Sequence, residues 1–119
     1  MNAGFWGAVL GGLGVALGAF GAHGLKDKVT EKALVVFETG VRYQLLHALA
    51  LLAVAALVRS GHPAAVRCVP WFLGGIALFS GSLYALTAGA PRALGMVTPF
   101  GGAALIVGWV LLALSLRVR

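Results

Sequence analysis

The stretch "GFWGAVLGGLGVALGAFGAHGL", Gly4 to Leu25, decides the fold. Glycines stand at 4, 7, 11, 14, 18 and 21, at spacings of 3, 4, 3, 4 and 3, and His23 follows them. In water, six glycines would weaken a helix by ~5–6 kcal/mol relative to alanine. In hydrocarbon the helix cannot dissolve into coil, because each unpaired backbone group costs several kcal/mol. Glycine is then tolerated, and its missing side chain lets two backbones approach. A mean period of 3.5 residues keeps one flank against a partner at a left-handed crossing. Gly7/Gly11 and Gly14/Gly18 are each GxxxG pairs. Gly4, Gly7, Gly11, Gly14, Gly18 and Gly21 therefore read as a packing seam. Its partner is either another helix of this chain or a second copy, so homo-oligomerisation through the first span is one expectation.

The composition agrees. The chain has 119 residues, 61% hydrophobic and 10% charged, with mean hydropathy +0.99. Soluble domains carry about 25% charged residues. So little polar material cannot cover a water-facing surface, and the exterior must face the lipid bilayer. One transmembrane domain over 1–119 is expected, with spans at about 4–23, 41–58, 69–88 and 98–116, each near the ~20 residues a crossing needs. Met1 to Gly4 contains no Lys or Arg, unlike the basic start of a signal peptide, so the first stretch is read as a retained span. The expected fold class is an all-α integral membrane four-helix bundle.

Net charge is +6, yet Lys26, Lys28, Lys32, Arg59, Arg67, Arg92, Arg117 and Arg119 lie at the ends of apolar spans. That distribution reads as anchoring and topology rather than nucleic-acid binding. Four Lys/Arg lie on the side of the termini and five on the other, a tie once Arg42 is committed to Glu38, and the weak lean is towards cytoplasmic termini. Cys68 is the single cysteine, so no internal disulfide is available.

Between the first two spans, "DKVTEKALVVFETGVR" (Asp27–Arg42) holds all three acidic residues. Thr30 can cap a helix, with Ala33, Leu34, Phe37 and Val41 on one side. An interfacial amphipathic helix over about 30–42 is expected, separate from the second span or continuous with it. Glu38 and Arg42 stand at i, i+4 with the acid first, the favoured order for an ion pair. Thr98 and Pro99 read as an N-cap followed by a first-turn proline.

Polar residues concentrate in "FETGVRYQLLHALALL", Phe37–Leu52. At 100° per residue, Gly40, Tyr43, Gln44 and His47 share a face, which should turn inward to find partners. Candidates are His23, expected near the same membrane surface as His47, with Ser80, Ser82 and Tyr84 of the third span. The third span should present Ala77, Ser80, Gly81, Tyr84 and Ala88 on one small, hydroxylated face. Gly101, Gly102, Gly108 and Trp109 in the fourth span indicate tight packing. Trp6 and Trp71 begin their spans on one side and fit an aromatic belt.

Four readings compete for the cluster: a structural hydrogen-bond network, a ligand or proton path, haem, metal or quinone binding at His23 and His47, and catalysis. The structural network leads. Two histidines without a carboxylate or thiolate are a weak ligand set. No Ser-His-Asp set, HExxH motif or carboxylate pair is present. The expectation is thus no catalytic residue, no metal site and no cofactor. Small multidrug resistance transporters are similar in size and span count, but they depend on a first-span glutamate that is absent here.

"GAFGAHGL" (Gly18–Leu25), "FETGVRYQLLHALALL", "LFSGSLYAL" (Leu78–Leu86) and "TPFGG" (Thr98–Gly102) together resemble the domain of unknown function 423 family, which includes vertebrate transmembrane protein 256. The resemblance covers nearly the whole chain. It implies an integral membrane protein, in bacteria of the cytoplasmic membrane, and supplies no activity to carry over. Family motifs fall on His23, Phe37, Tyr43, Gln44, His47, Ser80, Ser82, Tyr84, Pro99 and Gly101. Gly40 stands where the family often has alanine, a change expected to loosen packing without removing chemistry.

Overall fold

Asn2 accepts a hydrogen bond from the Phe5 amide through Oδ1 at 3.0 Å, and the first helix, α1 (Ala3–Phe20), starts there. The computed structural model describes residues 2–117. After Phe20 the rod continues as a wider π turn, Gly21–Leu25, which carries it past His23. A Cβ at Gly24 in that turn would lie 2.7 Å from the Phe20 ring and would push it aside.

Thr30 caps the next helix as its sequence position indicates, its Oγ1 accepting from the Ala33 amide at 3.0 Å. The expected amphipathic segment and second span form one continuous rod, α2 (Glu31–Arg59), 29 residues long and hence ~43 Å at 1.5 Å per residue. No proline interrupts it. A turn through Gly61 (φ +109°) and a 3₁₀ turn over Pro63–Cys68 lead into α3 (Val69–Thr87). Gly89 (φ +103°) and a second 3₁₀ turn, Arg92–Met96, lead into α4 (Thr98–Ser115). Pro99 lies in the first turn of α4, where its missing N–H costs nothing. Thr98 is not the cap: it is the first helical residue, after Val97, and its hydroxyl turns to Ser82 instead.

Each helix packs on the next in chain order, α1 on α2, α2 on α3 and α3 on α4. α2 and α3 are therefore central, and all four helices are long and apolar enough to cross a membrane. The best-buried apolar side chains are Leu51, Val54, Ala65, Cys68, Val69 and Phe72, near the end of the bundle where α2 leaves and α3 enters. Trp6 and Trp71 are both partly exposed, as an aromatic belt requires. The α3 face expected to be uniform is divided: Ser80 is buried against α2, whereas Ala77 and Ala88 face outward.

The glycine seam meets α2 along its length. A Cβ at Gly4 would touch Ala55 at 3.5 Å, one at Gly18 would touch Val41 at 3.4 Å, and one at Gly21 would strike the Phe37 ring at 2.9 Å. The tightest backbone approach is at Gly7, where a Cβ would fall 2.8 Å from the Ala48 carbonyl oxygen and 3.1 Å from the Leu52 nitrogen. At Gly14 it would fall 2.6 Å from Leu45 Cδ2. Gly11 is looser, with Ala48 Cβ at 3.9 Å. The seam is thus filled by the chain's own α2, and a second copy could reach it only by displacing that helix. Glycine serves the same purpose between α3 and α4: Gly75 admits Leu105, Gly108 admits Phe72, and Gly101 lies against the backbone of Leu78 and Phe79.

Gly7→Ala and Gly14→Ala should each lower stability by about 1–3 kcal/mol through overpacking, whereas Gly12→Ala, which meets open space, should cause no loss. Unfolding titrations in detergent would measure this, and equal losses at positions 7 and 12 would contradict the assignment of the buried flank.

Candidate functional site

Gln44 and His47 are the polar side chains that α2 buries, each 4% exposed. Gln44 bridges three helices. Its Nε2 donates to the Leu10 carbonyl of α1 at 2.8 Å, and its Oε1 accepts from the Tyr84 hydroxyl of α3 at 2.6 Å. A carbonyl can only accept, so the contact with Leu10 fixes which end of the amide points where. Gly14 lies alongside: a Cβ there would strike Leu45 and would stand in ordinary contact with Gln44 Nε2, at 3.5 Å. Gly40 makes room for Tyr84, whose ring lies 2.8 Å from where a Cβ would stand. Glycine at 40 therefore does not loosen packing; an aromatic ring fills the space.

His47 is fixed just as firmly. Its Nδ1 lies 2.7 Å from the Tyr43 carbonyl oxygen, and its Nε2 lies 2.9 Å from Trp109 Nε1 of α4. Indole nitrogen only donates, so Nε2 is the acceptor and the ring proton sits on Nδ1, directed at the Tyr43 carbonyl. The imidazole is neutral, and both nitrogens are committed to protein partners. Three rings wall it in: Phe72 at 5.4 Å, Trp109 at 5.7 Å and Tyr43, stacked, at 6.1 Å between centroids.

Hydroxyls add a second tie between α2 and α3 and one between α3 and α4. Ser80 donates to the Gly40 carbonyl at 2.7 Å, tying α3 to α2. Ser82 donates to its own helix at Phe79 and lies against the Thr98 hydroxyl, at the junction of α3 and α4. Among the described residues, no buried side-chain nitrogen or oxygen lacks a hydrogen-bond partner.

Of the residues expected to cluster, Gln44, Tyr84 and Ser80 meet along the α2–α3 boundary. His47 joins α4 instead, Ser82 lies off towards Thr98, and Tyr43 is 37% exposed with its ring over Phe79. His23 stands apart from them all. It is exposed on the π turn, level with the Phe37 end of α2. His47 is level with Gly11 and Gly14, about ten residues or ~15 Å farther along the axis. Angle around α2 put His47 on the inward face, but its position along the axis separates it from His23. A haem or metal bound between His23 and His47 does not fit this separation, nor a His47 ring with no free lone pair. Glu38 and Arg42 are both exposed, one turn apart on the outward face of α2, and among the described residues no salt bridge joins them.

Trp109 is the member that sequence reasoning missed. A belt tryptophan sits at a span's end; this one stands twelve residues into an eighteen-residue helix. An indole N–H at that depth needs a partner, and that was the available signal.

Four membrane-spanning helices stitched by side-chain hydrogen bonds define an integral membrane protein. The chain belongs to the family described as "Protein of unknown function (DUF423)", which matches residues 17–102, a range that includes every polar residue discussed here except Trp109. It is 44% identical over 111 residues to the UPF0382 membrane protein YwdK of Bacillus subtilis, covering 92% of this chain and 90% of that protein. It is 46% identical over 100 residues to a UPF0382 membrane protein of Haemophilus influenzae, covering 83% and 80%. It is 38% identical over 112 residues to the UPF0382 inner membrane protein YgdD of Escherichia coli, covering 88% and 81%. No solved structure matches the chain.

A double-mutant cycle between Gln44→Leu and Tyr84→Phe should return a coupling of about 0.6–1.7 kcal/mol, the range of interhelical hydrogen bonds in membranes. Reversible unfolding in mixed micelles measures it. Strictly additive losses would remove this hydrogen bond from the account.

Proposed function

We propose that this protein is a non-enzymatic structural or interaction component of the bacterial cytoplasmic membrane, and that its polar network serves to hold one helix arrangement. The observation that carries this reading is the commitment of every buried polar end: both ends of the Gln44 amide and both nitrogens of His47 are used by the chain itself. A ligand or proton path needs a group that can exchange partners, and a catalytic site needs a base with a lone pair to offer. Here each of these four polar atoms already has a partner within the chain. The clefts of about 230–440 Å³ on the surface are lined by other residues. The clusters of three or more His, Cys, Asp or Glu that would suit a metal are absent among the described residues.

The competing assignment is a small transporter whose path runs past Tyr43, Gln44 and His47. Proteoliposomes holding an imposed pH gradient separate the two. The expected result is that the protein leaves the decay of the gradient unchanged, while His47→Phe and Gln44→Leu lower thermal stability. Gradient decay that His47→Phe abolishes in a folded variant would overturn the structural role.

Both termini are assigned to the cytoplasmic side. The Lys/Arg count is close: among the described residues this end, which gathers Asn2, the turn at 60–62 and Arg117, holds Arg59, Arg67 and Arg117 with no Asp or Glu, and the other holds five Lys/Arg, of which Arg42 stands one turn from Glu38. The name of the Escherichia coli relative, an inner membrane protein, supports the membrane assigned. Fusions of a cytoplasm-active fluorescent reporter and a periplasm-active phosphatase to the C-terminus should give fluorescence and no phosphatase activity; the opposite pattern reverses the orientation.

A further inference from the structure

Two adjoining clefts open at the same basic end of the bundle. One, about 440 Å³, is lined by Ala64 and Arg67 of the 3₁₀ turn before α3 and by Leu111, Leu114, Ser115 and Arg117 at the end of α4. The other, also about 440 Å³, shares Ala64, Ser115 and Arg117 and adds His62. Two guanidinium-bearing residues thus line one cleft from two different elements. Both are exposed, and like charges facing one space repel unless an anion lies between them. The chain supplies no Asp or Glu for that purpose here: its three acids, Asp27, Glu31 and Glu38, lie in the segment at the far end. Guanidinium groups match phosphate oxygens through paired N–H donors.

The cleft is also graded in polarity. Arg67, Ser115 and Arg117 form its outer part, at the helix ends. Leu114 and Leu111 follow about one and two turns inward from Arg117 towards the hydrocarbon, with Leu114 52% exposed. A free phosphate uses only the outer part. A phospholipid uses both, its phosphate against the arginines and an acyl chain along the leucines. We propose that this cleft is a binding site for the phosphate group of an anionic phospholipid, held by Arg67 and Arg117.

The test is lipid retention by the purified, delipidated protein, read by native mass spectrometry and by thermal stability in neutral detergent. Phosphatidylglycerol should stay bound and raise the unfolding temperature, and phosphatidylcholine should do so far less. A basic side chain near an anionic headgroup contributes ≈ 1 kcal/mol, so the Arg67→Gln/Arg117→Gln double variant should bind phosphatidylglycerol roughly 30-fold more weakly. Both positions are exposed, so the variant keeps its core, and its unfolding temperature without lipid checks this directly. Lys26→Gln/Lys28→Gln, which removes two charges at the opposite end, should retain the lipid. Equal retention of the two lipids, undiminished binding in the arginine variant, or the same loss in the lysine variant would each overturn the proposal. Inorganic phosphate alone reproducing the full stabilisation would overturn the lipid as the source.

Discussion

The Gln44 amide is the interaction on which the arrangement of the first three helices depends. One end is held by a backbone carbonyl of α1 and the other by the hydroxyl of Tyr84 on α3. In hydrocarbon no water can replace either partner, so a rotated or shifted α2 would leave amide groups bare at a cost of several kcal/mol. Dispersion alone does not give such selectivity, since lipid tails compete with leucine on nearly equal terms. The glycines let the backbones approach, and the amide selects the register in which they do so. At Gly14 the two meet, since a Cβ there would strike Leu45 and touch Gln44 Nε2.

Much of this was legible in the residues. The composition demanded lipid, the apolar runs marked four crossings, the repeat of Gly4 to Gly21 marked a buried flank, and Thr30 marked a helix start. The inward face carrying Gln44 and His47 followed from angular spacing, because angle along a helix depends only on local geometry. Depth did not follow. It depends on how the helices are staggered along their axes, which local spacing does not encode. His23 was drawn into the cluster because both histidines lie near the end of a span in the sequence. Partner identity was also out of reach: nothing local in the sequence tells Gly14 that it faces Leu45, or His47 that its acceptor nitrogen meets an indole sixty-two residues away.

The two tiers of the network differ in chemistry. The Gln44 tier joins α1, α2 and α3 through amide, carbonyl and phenol. The His47 tier joins α2 to α4 through one imidazole–indole bond inside an aromatic enclosure. Trp109 is itself partly exposed at the outer surface, so this second tie lies at the edge of the bundle, whereas the first lies within it. α4 is otherwise held to α3 by the close passes at Gly75, Gly101 and Gly108.

The unbroken length of α2 has a consequence for the membrane itself. A rod of ~43 Å exceeds a hydrocarbon layer of ≈ 30 Å by more than two helical turns. The excess falls largely at the Glu31 end, where charged side chains are at home among headgroups. Since the four helices are tied side to side, they cannot adjust one at a time. Thinner bilayers must tip the whole assembly and thicker ones bring it upright, so the protein's angle becomes a readout of local membrane thickness.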